Sequence, residues 1–230
     1  MSAFYDSIRP LFRRGRLTQK QVDGMESIFA ETPGMWPSHV AYIMATAFHE
    51  TGQRMQPVRE GFAKTNAGAI RAVTGLYNKG IIVTNYALPD PITGHSYYGR
   101  GLVQLTWKSN YERMGKALGL DLVGTPDMVL ETKVSTKCLV LGMERGLFRR
   151  GRHLSMLPTA PTTRQFVAAR DIINGDVVRN GPRIAGYAVA FMEAILAQVA
   201  VEVEEPEKEH SLWCRLLDLI GLGDHSAIGA

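Results

Sequence analysis

Two glutamates ten residues apart are the residues of this sequence best suited to acid–base chemistry. Glu50 follows the apolar stretch 40–48, and Glu60 follows in a polar stretch after Pro57. Hydrolysis of a glycosidic bond uses such a pair: one carboxyl group protonates the leaving oxygen, and the other activates water. Because burial beside the apolar stretch favours the neutral form, we assign Glu50 as the acid and Glu60 as the ionised group.

Other chemistries have weaker support in the sequence. His49 and Glu50 lack the second histidine of a zinc-protease motif, and no Cys/His cluster has metal-ligand spacing. The stretch 97–101 lacks the third glycine of a dinucleotide site, and Cys138 lies in an apolar run that makes a poor nucleophile. We therefore expect neither a metal nor another cofactor. The glutamate pair alone does not distinguish a catalytic site from an ordinary helix end.

Composition and charge indicate a globular chain. It has 230 residues, of which 45% are hydrophobic and 21% are charged, so one large core is expected. The net charge of +4 suits an anionic partner such as a cell-wall polymer. Basic residues bunch at 9–16 and 149–152 without the interleaved aromatic pattern of a nucleic-acid site. Both stretches are interpreted as solvated faces, and nucleic acid is not expected as a partner.

Two further segments bear on location. Residues 184–203 are long and apolar enough to span a membrane, but Glu193 lies at their centre. A central charge costs about 2.5–3.5 kcal/mol, so a buried core helix is predicted rather than an integral membrane span. The N-terminus lacks the apolar region of a secretory signal, and Cys138 and Cys214 do not suggest a disulfide framework. Folding in a reducing cytoplasm is expected.

The pattern of apolar residues predicts a mainly α fold. Thr18 and Gln21 have the spacing of a capping box that starts a helix. Further helices are predicted after Ser38, from Ser109 to Gly119, over 132–148, over 162–173 and from Pro182 to about Pro206. Residues 74–106 are rich in Gly, Pro, Asn and Asp, which predicts an irregular segment that lines a cleft and holds a small hairpin at most. No internal repeat is recognised.

Four motifs, read together in chain order, resemble glycoside hydrolase family 19. They are FHETG at 48–52, YYGRGLVQLTWKSNY at 97–111, IING at 172–175 and RIAGY at 183–187. The resemblance covers about residues 40–187 and is closest to the bacteriophage endolysin branch of these chitinase-like enzymes. It implies a lysozyme-like helical fold of two lobes with a central glycan cleft. It also implies hydrolysis of β-1,4 links between N-acetylated amino sugars.

The resemblance also implies roles for individual residues. Glu50 matches the general acid, and Thr106 with Gln104 matches residues that place the attacking water. The endolysin branch supplies its second carboxylate at Glu60, whereas the chitinases carry theirs further along the chain. Trp107 is interpreted as a core residue. Substrate-binding roles fall on Thr51, Tyr98, Gln104, Asn110, Asn174 and Arg183.

These observations predict a peptidoglycan-degrading endolysin, with residues 1–205 as catalytic domain and residues 206–230 as an acidic linker and amphipathic tail. It is expected to be a monomer that waits in the host cytoplasm until a membrane pore releases it to the cell wall. The resemblance implies inversion, with the two carboxyl groups about 6.5–9.5 Å apart. Alternatives are a chitinase, a lytic transglycosylase that needs only Glu50, and a non-catalytic wall-binding protein.

Overall fold

The computed structural model describes residues 2–204 and confirms a mainly α fold with one small antiparallel sheet. This chain divides into two compact units. The first combines residues 2–45 with residues 155–204, and the second is Thr46–Leu154. The predicted linker and tail at 206–230 lie outside the described residues, as does Cys214.

The first unit is built around one long helix. Its helices are α1 (Ser2–Ile8), α2 (Gln19–Glu31), the start of α3 (Pro37–Glu50), α7 (Thr163–Ala169) and α8 (Val177–Glu204). Helices α1 and α7 pack along α8, and the backbone N–H of Phe4 donates to the Gln198 side chain at 3.1 Å. The predicted capping box of Thr18 and Gln21 is confirmed at the start of α2.

Helix α8 contains the segment considered as a membrane span. Among residues 2–204 it is the one helix long and apolar enough to cross a membrane. Core helices of globular proteins meet the same criterion, and Ile184, Phe191 and Ile195 of α8 are fully buried. This packing agrees with the interpretation as a core helix. The helix starts at Val177, before the predicted Pro182, which lies inside it.

The second unit carries the sheet and three further helices. They are α4 (Asn66–Asn78), α5 (Lys108–Leu118) and α6 (Thr132–Glu144). Strands β1 (Val58–Arg59) and β2 (Arg100–Gly101) pair antiparallel, with Val58 opposite Gly101 and Arg59 opposite Arg100. Cys138 on α6 lies in a buried hydrophobic cluster of this unit, and burial raises the pKa of its thiol to about 12. Such a thiol is a poor nucleophile, as expected.

Several predicted helix ends are wrong. Ser38 does not cap α3, because the helix begins at Pro37 and the Ser38 hydroxyl donates to the Pro158 carbonyl at 3.0 Å. Helix α5 follows Trp107 without a side-chain cap, although Gly119 ends it as predicted, in a left-handed conformation. Helix α6 ends at Glu144, four residues before its predicted end.

Two other differences concern whole elements. Helix α4 was not predicted, since its glycines and small residues weaken the apolar pattern. The predicted helix over 162–173 ends at Ala169 and continues as a 3₁₀ turn, Arg170–Ile172. Residues 79–99 contain no helix or strand, as the density of turn-forming residues predicted.

Candidate active site

Helix α3 ends with Glu50, the predicted acid. The apolar residues that precede it are fully buried, and they include Ile43, Met44 and Phe48. Glu50 itself is half-buried. The helix therefore brings a carboxyl group to the boundary between the core and solvent, as the apolar stretch predicted.

Thr51 closes the end of this helix. Its hydroxyl donates to the Ala47 carbonyl at 2.7 Å and accepts from the Met55 N–H at 3.0 Å. The side chain is fully buried. The predicted substrate-binding role of Thr51 is therefore corrected: the hydroxyl holds the turn that follows Glu50.

Glu60 lies at the start of a 3₁₀ turn, Glu60–Phe62, directly after β1. Its backbone N–H donates to the Gly99 carbonyl at 2.8 Å. In return, the Gly99 N–H donates to Oε2 of Glu60 at 3.0 Å. The small sheet thus fixes the backbone and the carboxylate of Glu60 against the residue that precedes β2.

Three predicted site residues converge at Gly99. A Cβ atom at this position would lie 2.5 Å from Oε2 of Glu60 and 2.8 Å from Oε1 of Gln104. It would lie 3.3 Å from Oγ1 of Thr106. Glycine is therefore needed here because the three side-chain oxygens occupy the space of a side chain.

A tight turn orients Gln104 and Thr106. Gln104 has a φ of 52°, and its amide nitrogen donates to the carbonyls of Val58 at 3.1 Å and Gly101 at 3.2 Å. The amide oxygen is thereby directed toward Gly99. The Thr106 hydroxyl donates to the Gln104 carbonyl at 2.9 Å, so its oxygen is left as an acceptor for a water or a substrate hydroxyl.

Tyr86 is a site residue that sequence reasoning missed. It lies in the irregular segment 79–99, and its hydroxyl hydrogen-bonds to the Glu60 carboxylate. Burial, with the charge and hydrogen bond of Glu60, raises the pKa of Tyr86 to about 12. Its ring lies 5.3 Å from the Trp107 ring. The only sequence signal was the expectation that this segment lines a cleft.

The surroundings of Glu60 differ from the polar setting expected for it. Burial raises its pKa above the ordinary value, and repulsion from Glu50 adds to this. The Gly99 N–H and the Tyr86 hydroxyl act in the opposite direction without cancelling the rise. The polar setting expected for Glu60 is therefore corrected to a largely buried one, and its ionised state stays a prediction. The predicted separation of the carboxyl groups stays a prediction.

Two aromatic residues of the central motif are placed differently from expectation. Tyr98, predicted to bind substrate, is fully buried, and its hydroxyl donates to the Asn66 side chain while the Arg100 guanidinium covers its ring at 3.7 Å. Trp107, interpreted as core, is 47% exposed. Its φ of 75° turns the chain into α5. The exposed aromatic face next to Tyr86 therefore belongs to Trp107.

Asn110 supports Thr106. Its side-chain nitrogen donates to the Thr106 carbonyl at 2.7 Å, and its side-chain oxygen accepts from Arg113 at 2.9 Å. Both ends of the amide are therefore engaged within the protein. The structure gives Asn110 a positioning role, and direct contact with substrate stays a prediction.

An ionic network connects the two strands of the sheet through Asp127. Arg100, only 2% exposed, donates to Asp127 at 2.7 Å, and Arg59 on the opposite strand donates to the second oxygen of Asp127 at 2.7 Å. Arg100 also donates to the Ser96 carbonyl at 2.9 Å. Burial alone would raise the pKa of Asp127, but the two arginines outweigh it and hold the pKa below the ordinary value.

The remaining predicted residues, Asn174 and Arg183, belong to the first unit. Asn174 follows the 3₁₀ turn, with its N–H donating to the Arg170 carbonyl at 3.0 Å, and Arg183 lies in α8. Both side chains are exposed. Their predicted contact with a glycan stays a prediction.

The site offers two kinds of functional group: carboxyl groups and neutral oxygen atoms. Within residues 2–204, no group of three His, Cys, Asp or Glu side chains could hold a metal ion. A buried carboxylate, a threonine hydroxyl and an amide oxygen around one glycine can instead bind and orient a water molecule. Glu50, close enough to influence Glu60 electrostatically, supplies a second carboxyl group.

Comparison with known proteins shows a similarity to one enzyme family. Residues 39–141 match the sequence model of the Glyco_hydro_19 family, described as chitinase class I. The predicted resemblance to glycoside hydrolase family 19 is therefore confirmed. The motifs that contain Asn174 and Arg183 lie outside the matched residues, and the bacteriophage branch stays a prediction.

Individual relatives are similar over short stretches. Chitinase 8 of Oryza sativa subsp. japonica is 65% identical over 37 residues, which are 16% of this chain and 14% of that protein. Inactive chitinase-like protein 1 of Hevea brasiliensis is 46% identical over 55 residues, 22% of this chain and 18% of that protein. The chain thus spans less than a fifth of the length of these two curated relatives. A solved structure, chitinase C from Streptomyces griseus, is 20% identical over 86% of this chain and 75% of that chain, with a TM-score of 0.46.

Proposed function

We propose that the protein is a glycoside hydrolase that cleaves β-1,4 links between N-acetylated amino sugars. The observation that carries this proposal is the convergence of the Glu60, Gln104 and Thr106 side-chain oxygens at Gly99. A water bound among them has a carboxylate to accept its proton and neutral oxygens to orient it. The match of residues 39–141 to class I chitinases gives the same reaction class.

In this mechanism Glu50 is the general acid. It protonates the glycosidic oxygen as the bond to the anomeric carbon breaks. Glu60 takes a proton from the water as the water oxygen attacks the opposite face of the sugar, which inverts the anomeric configuration. Tyr86 and the Gly99 N–H hold the Glu60 carboxylate in place.

The substrate that we propose is peptidoglycan, and the role is that of a phage or prophage endolysin. The net charge of +4 favours association with an anionic wall. The enzyme would be made in the host cytoplasm and act as a monomer once released to the wall. Chitin is the second candidate, because relatives of this chain are named chitinases and the two polymers share the β-1,4 linkage to N-acetylglucosamine.

A non-catalytic glycan-binding protein is a third candidate. One observation favours it: a relative that matches 55 residues of this chain is named an inactive chitinase-like protein. Such a protein would bind a glycan and release no product, with Glu50 and Glu60 serving only as hydrogen-bonding groups.

Mass spectrometry of released fragments separates these candidates. Purified peptidoglycan and N-acetylglucosamine hexamers are each incubated with the wild type and with E50Q. Peptidoglycan fragments with hydrated reducing ends, absent with E50Q, are the expected result. Release from the hexamer alone would assign a chitinase, and 1,6-anhydro ends would assign a lytic transglycosylase. Binding of both glycans without any release would overturn the enzyme assignment.

A further inference from the structure

An eight-residue sequence occurs twice in this chain. Residues 9–16 read RPLFRRGR, and residues 145–152 read RGLFRRGR, so that the two differ only at Pro10 and Gly146. The interpretation that the chain has no internal repeat is therefore wrong for a repeat of eight residues. The glycoside hydrolase proposal makes no use of either copy.

The two copies hold all of the excess positive charge. The chain has 26 Lys and Arg against 22 Asp and Glu, which gives +4. Each copy has four arginines and no acidic residue, so together they supply +8 and the rest of the chain has a net charge of −4. The excess of basic over acidic residues thus comes from these two short segments.

The first copy forms a strained turn in the first unit. Phe12 is buried and anchors the segment, and the Arg16 N–H donates to the Arg13 carbonyl at 3.4 Å. Arg14 and Gly15 have φ of 59° and 63°, and a left-handed conformation is unfavourable for arginine because of its Cβ. Residues 13–16 are all exposed. Backbone strain of this kind concentrates at functional positions.

The second copy also forms a closed turn, in the second unit. The ring of Phe148 packs against the buried cluster around Met114 and Cys138. The Arg152 N–H donates to the Arg149 carbonyl at 3.0 Å, and Gly151 takes the left-handed conformation with a φ of 73°. Residues 150–152 are exposed. Each copy thus uses its phenylalanine as an anchor and presents arginines on a closed turn.

Most of the turn arginines that the structure describes form no ion pair with a neighbouring acid. Arg9, at the start of the first copy, pairs with Asp6 at 2.9 Å. In contrast, Arg13, Arg14, Arg16 and Arg150 form no ion pair with the part of the chain that the structure describes. Within the described residues, no acidic side chain competes with an external anion for these guanidinium groups.

We propose that the turns at 13–16 and 149–152 dock the protein onto a phosphate-bearing polymer of the cell envelope. A guanidinium group binds a phosphate through two parallel hydrogen bonds, and several of them on one turn match a chain of repeated phosphates. The phenylalanines of both copies pack inward, so neither turn offers an apolar side chain to insert into a lipid layer. Neither turn contains an aromatic residue for stacking on nucleic-acid bases.

The test is titration of the full chain with poly(glycerol phosphate) at several salt concentrations. Binding of a polyanion releases counterions, so the logarithm of the association constant should fall linearly with the logarithm of salt concentration. In R13Q/R14Q/R16Q the slope should decrease by about one for each arginine removed, with affinity reduced about tenfold or more. R150Q tests the second turn in the same way, with an expected decrease of the slope by about one. R13K/R14K/R16K keeps the charge and should lose part of the affinity, because lysine lacks the planar fork.

The control is K64Q/R71Q/K79Q, which removes three exposed positive charges elsewhere in the second unit. It should bind the polymer like the wild type. An equal loss in the control, or no binding by the wild type, would overturn the proposal. Tighter binding to phosphatidylglycerol vesicles or to a DNA oligonucleotide at equal phosphate concentration would also overturn it. Hydrolysis of purified peptidoglycan freed of phosphate polymers should be unchanged in every variant, so a failure of the proposed enzymatic function is seen separately.

Discussion

Glu60 and Gly99 are joined by two hydrogen bonds that run in opposite directions. The Glu60 N–H donates to the Gly99 carbonyl, and the Gly99 N–H donates to the Glu60 carboxylate. Gly99 leads directly into β2, whose partner β1 leads into Glu60. The backbone pairing of two short strands therefore sets the position of the proposed base.

Replacement of Gly99 by alanine should abolish activity. The new methyl group would lie within 3 Å of the Glu60 and Gln104 oxygens, so both side chains must move. We expect the rate of glycan hydrolysis to fall about 100-fold or more, since misplaced catalytic groups have effects of this size. Overpacking should also lower the free energy of unfolding by about 1–3 kcal/mol, measured in urea.

The matched control for this variant is G75A. Gly75 lies in α4 with nothing within 4 Å of its missing Cβ atom. Alanine there should leave activity unchanged and stabilise the helix by up to about 1 kcal/mol. Equal activities of G99A and the wild type would contradict the proposed site.

Tyr86→Phe should shift the acid side of the pH–activity profile to higher pH. The Tyr86 hydroxyl lowers the pKa of Glu60, whereas burial and the charge of Glu50 raise it. Without the hydroxyl, the pKa of Glu60 rises further. Because the base must be ionised to act, activity is then lost at a higher pH than in the wild type as the pH is lowered. The profile of kcat/KM measures this shift, and Y77F, at an exposed tyrosine of α4, should show none. A shift to lower pH would contradict the assignment of Glu60 as base.

Thr106→Val should reduce kcat more than it changes KM. Valine has nearly the same shape but removes the hydroxyl oxygen beside Glu60 and Gln104. Loss of one orienting group typically costs about 10²–10³ in kcat. Thr106→Ser restores the hydroxyl and should retain most of the activity. Equal kcat values for the valine and serine variants would remove this hydroxyl from the mechanism.

Asp127→Asn should destabilise the fold in a pH-dependent manner. The substitution leaves the buried Arg100 without its carboxylate partner, at a cost of about 1–3 kcal/mol. Because the folded-state pKa of Asp127 is lowered, its contribution is present above the unfolded-state pKa and is lost as pH falls through the folded-state value. The difference between wild type and D127N in urea unfolding should therefore shrink at acidic pH. E112Q, at an exposed glutamate, should change stability by less than about 0.5 kcal/mol.

The motif residues illustrate what the sequence could predict about this site. Gln104 and Thr106 were predicted from a motif and Glu60 from its pairing with Glu50, and the structure brings the oxygens of the three side chains together. Thr51 and Tyr98 also stand in motifs, yet both are fully buried. A motif identifies a segment that folds around a site, but it does not separate side chains that face the site from those that hold the segment in place.

The placement of Tyr86 and Trp107 was harder to predict for a different reason. Tyr86 reaches Glu60 from a segment without helix or strand, where no periodic pattern indicates the direction of a side chain. Trp107 was interpreted as a core aromatic, but its backbone has a positive φ of 75° and its side chain is 47% exposed. Such backbone conformations depend on tertiary contacts, and they are not encoded in local propensity.

The most direct test of the account is the anomeric configuration of newly formed reducing ends. Proton NMR spectra are recorded in the first minutes of hydrolysis of N-acetylglucosamine hexamers or of peptidoglycan glycan strands. An initial excess of the α-anomer is predicted, because Glu60 delivers water to the face opposite the leaving group that Glu50 protonates. An initial excess of the β-anomer, or anhydro ends without a free anomer, would contradict the pairing of Glu50 as acid with Glu60 as base.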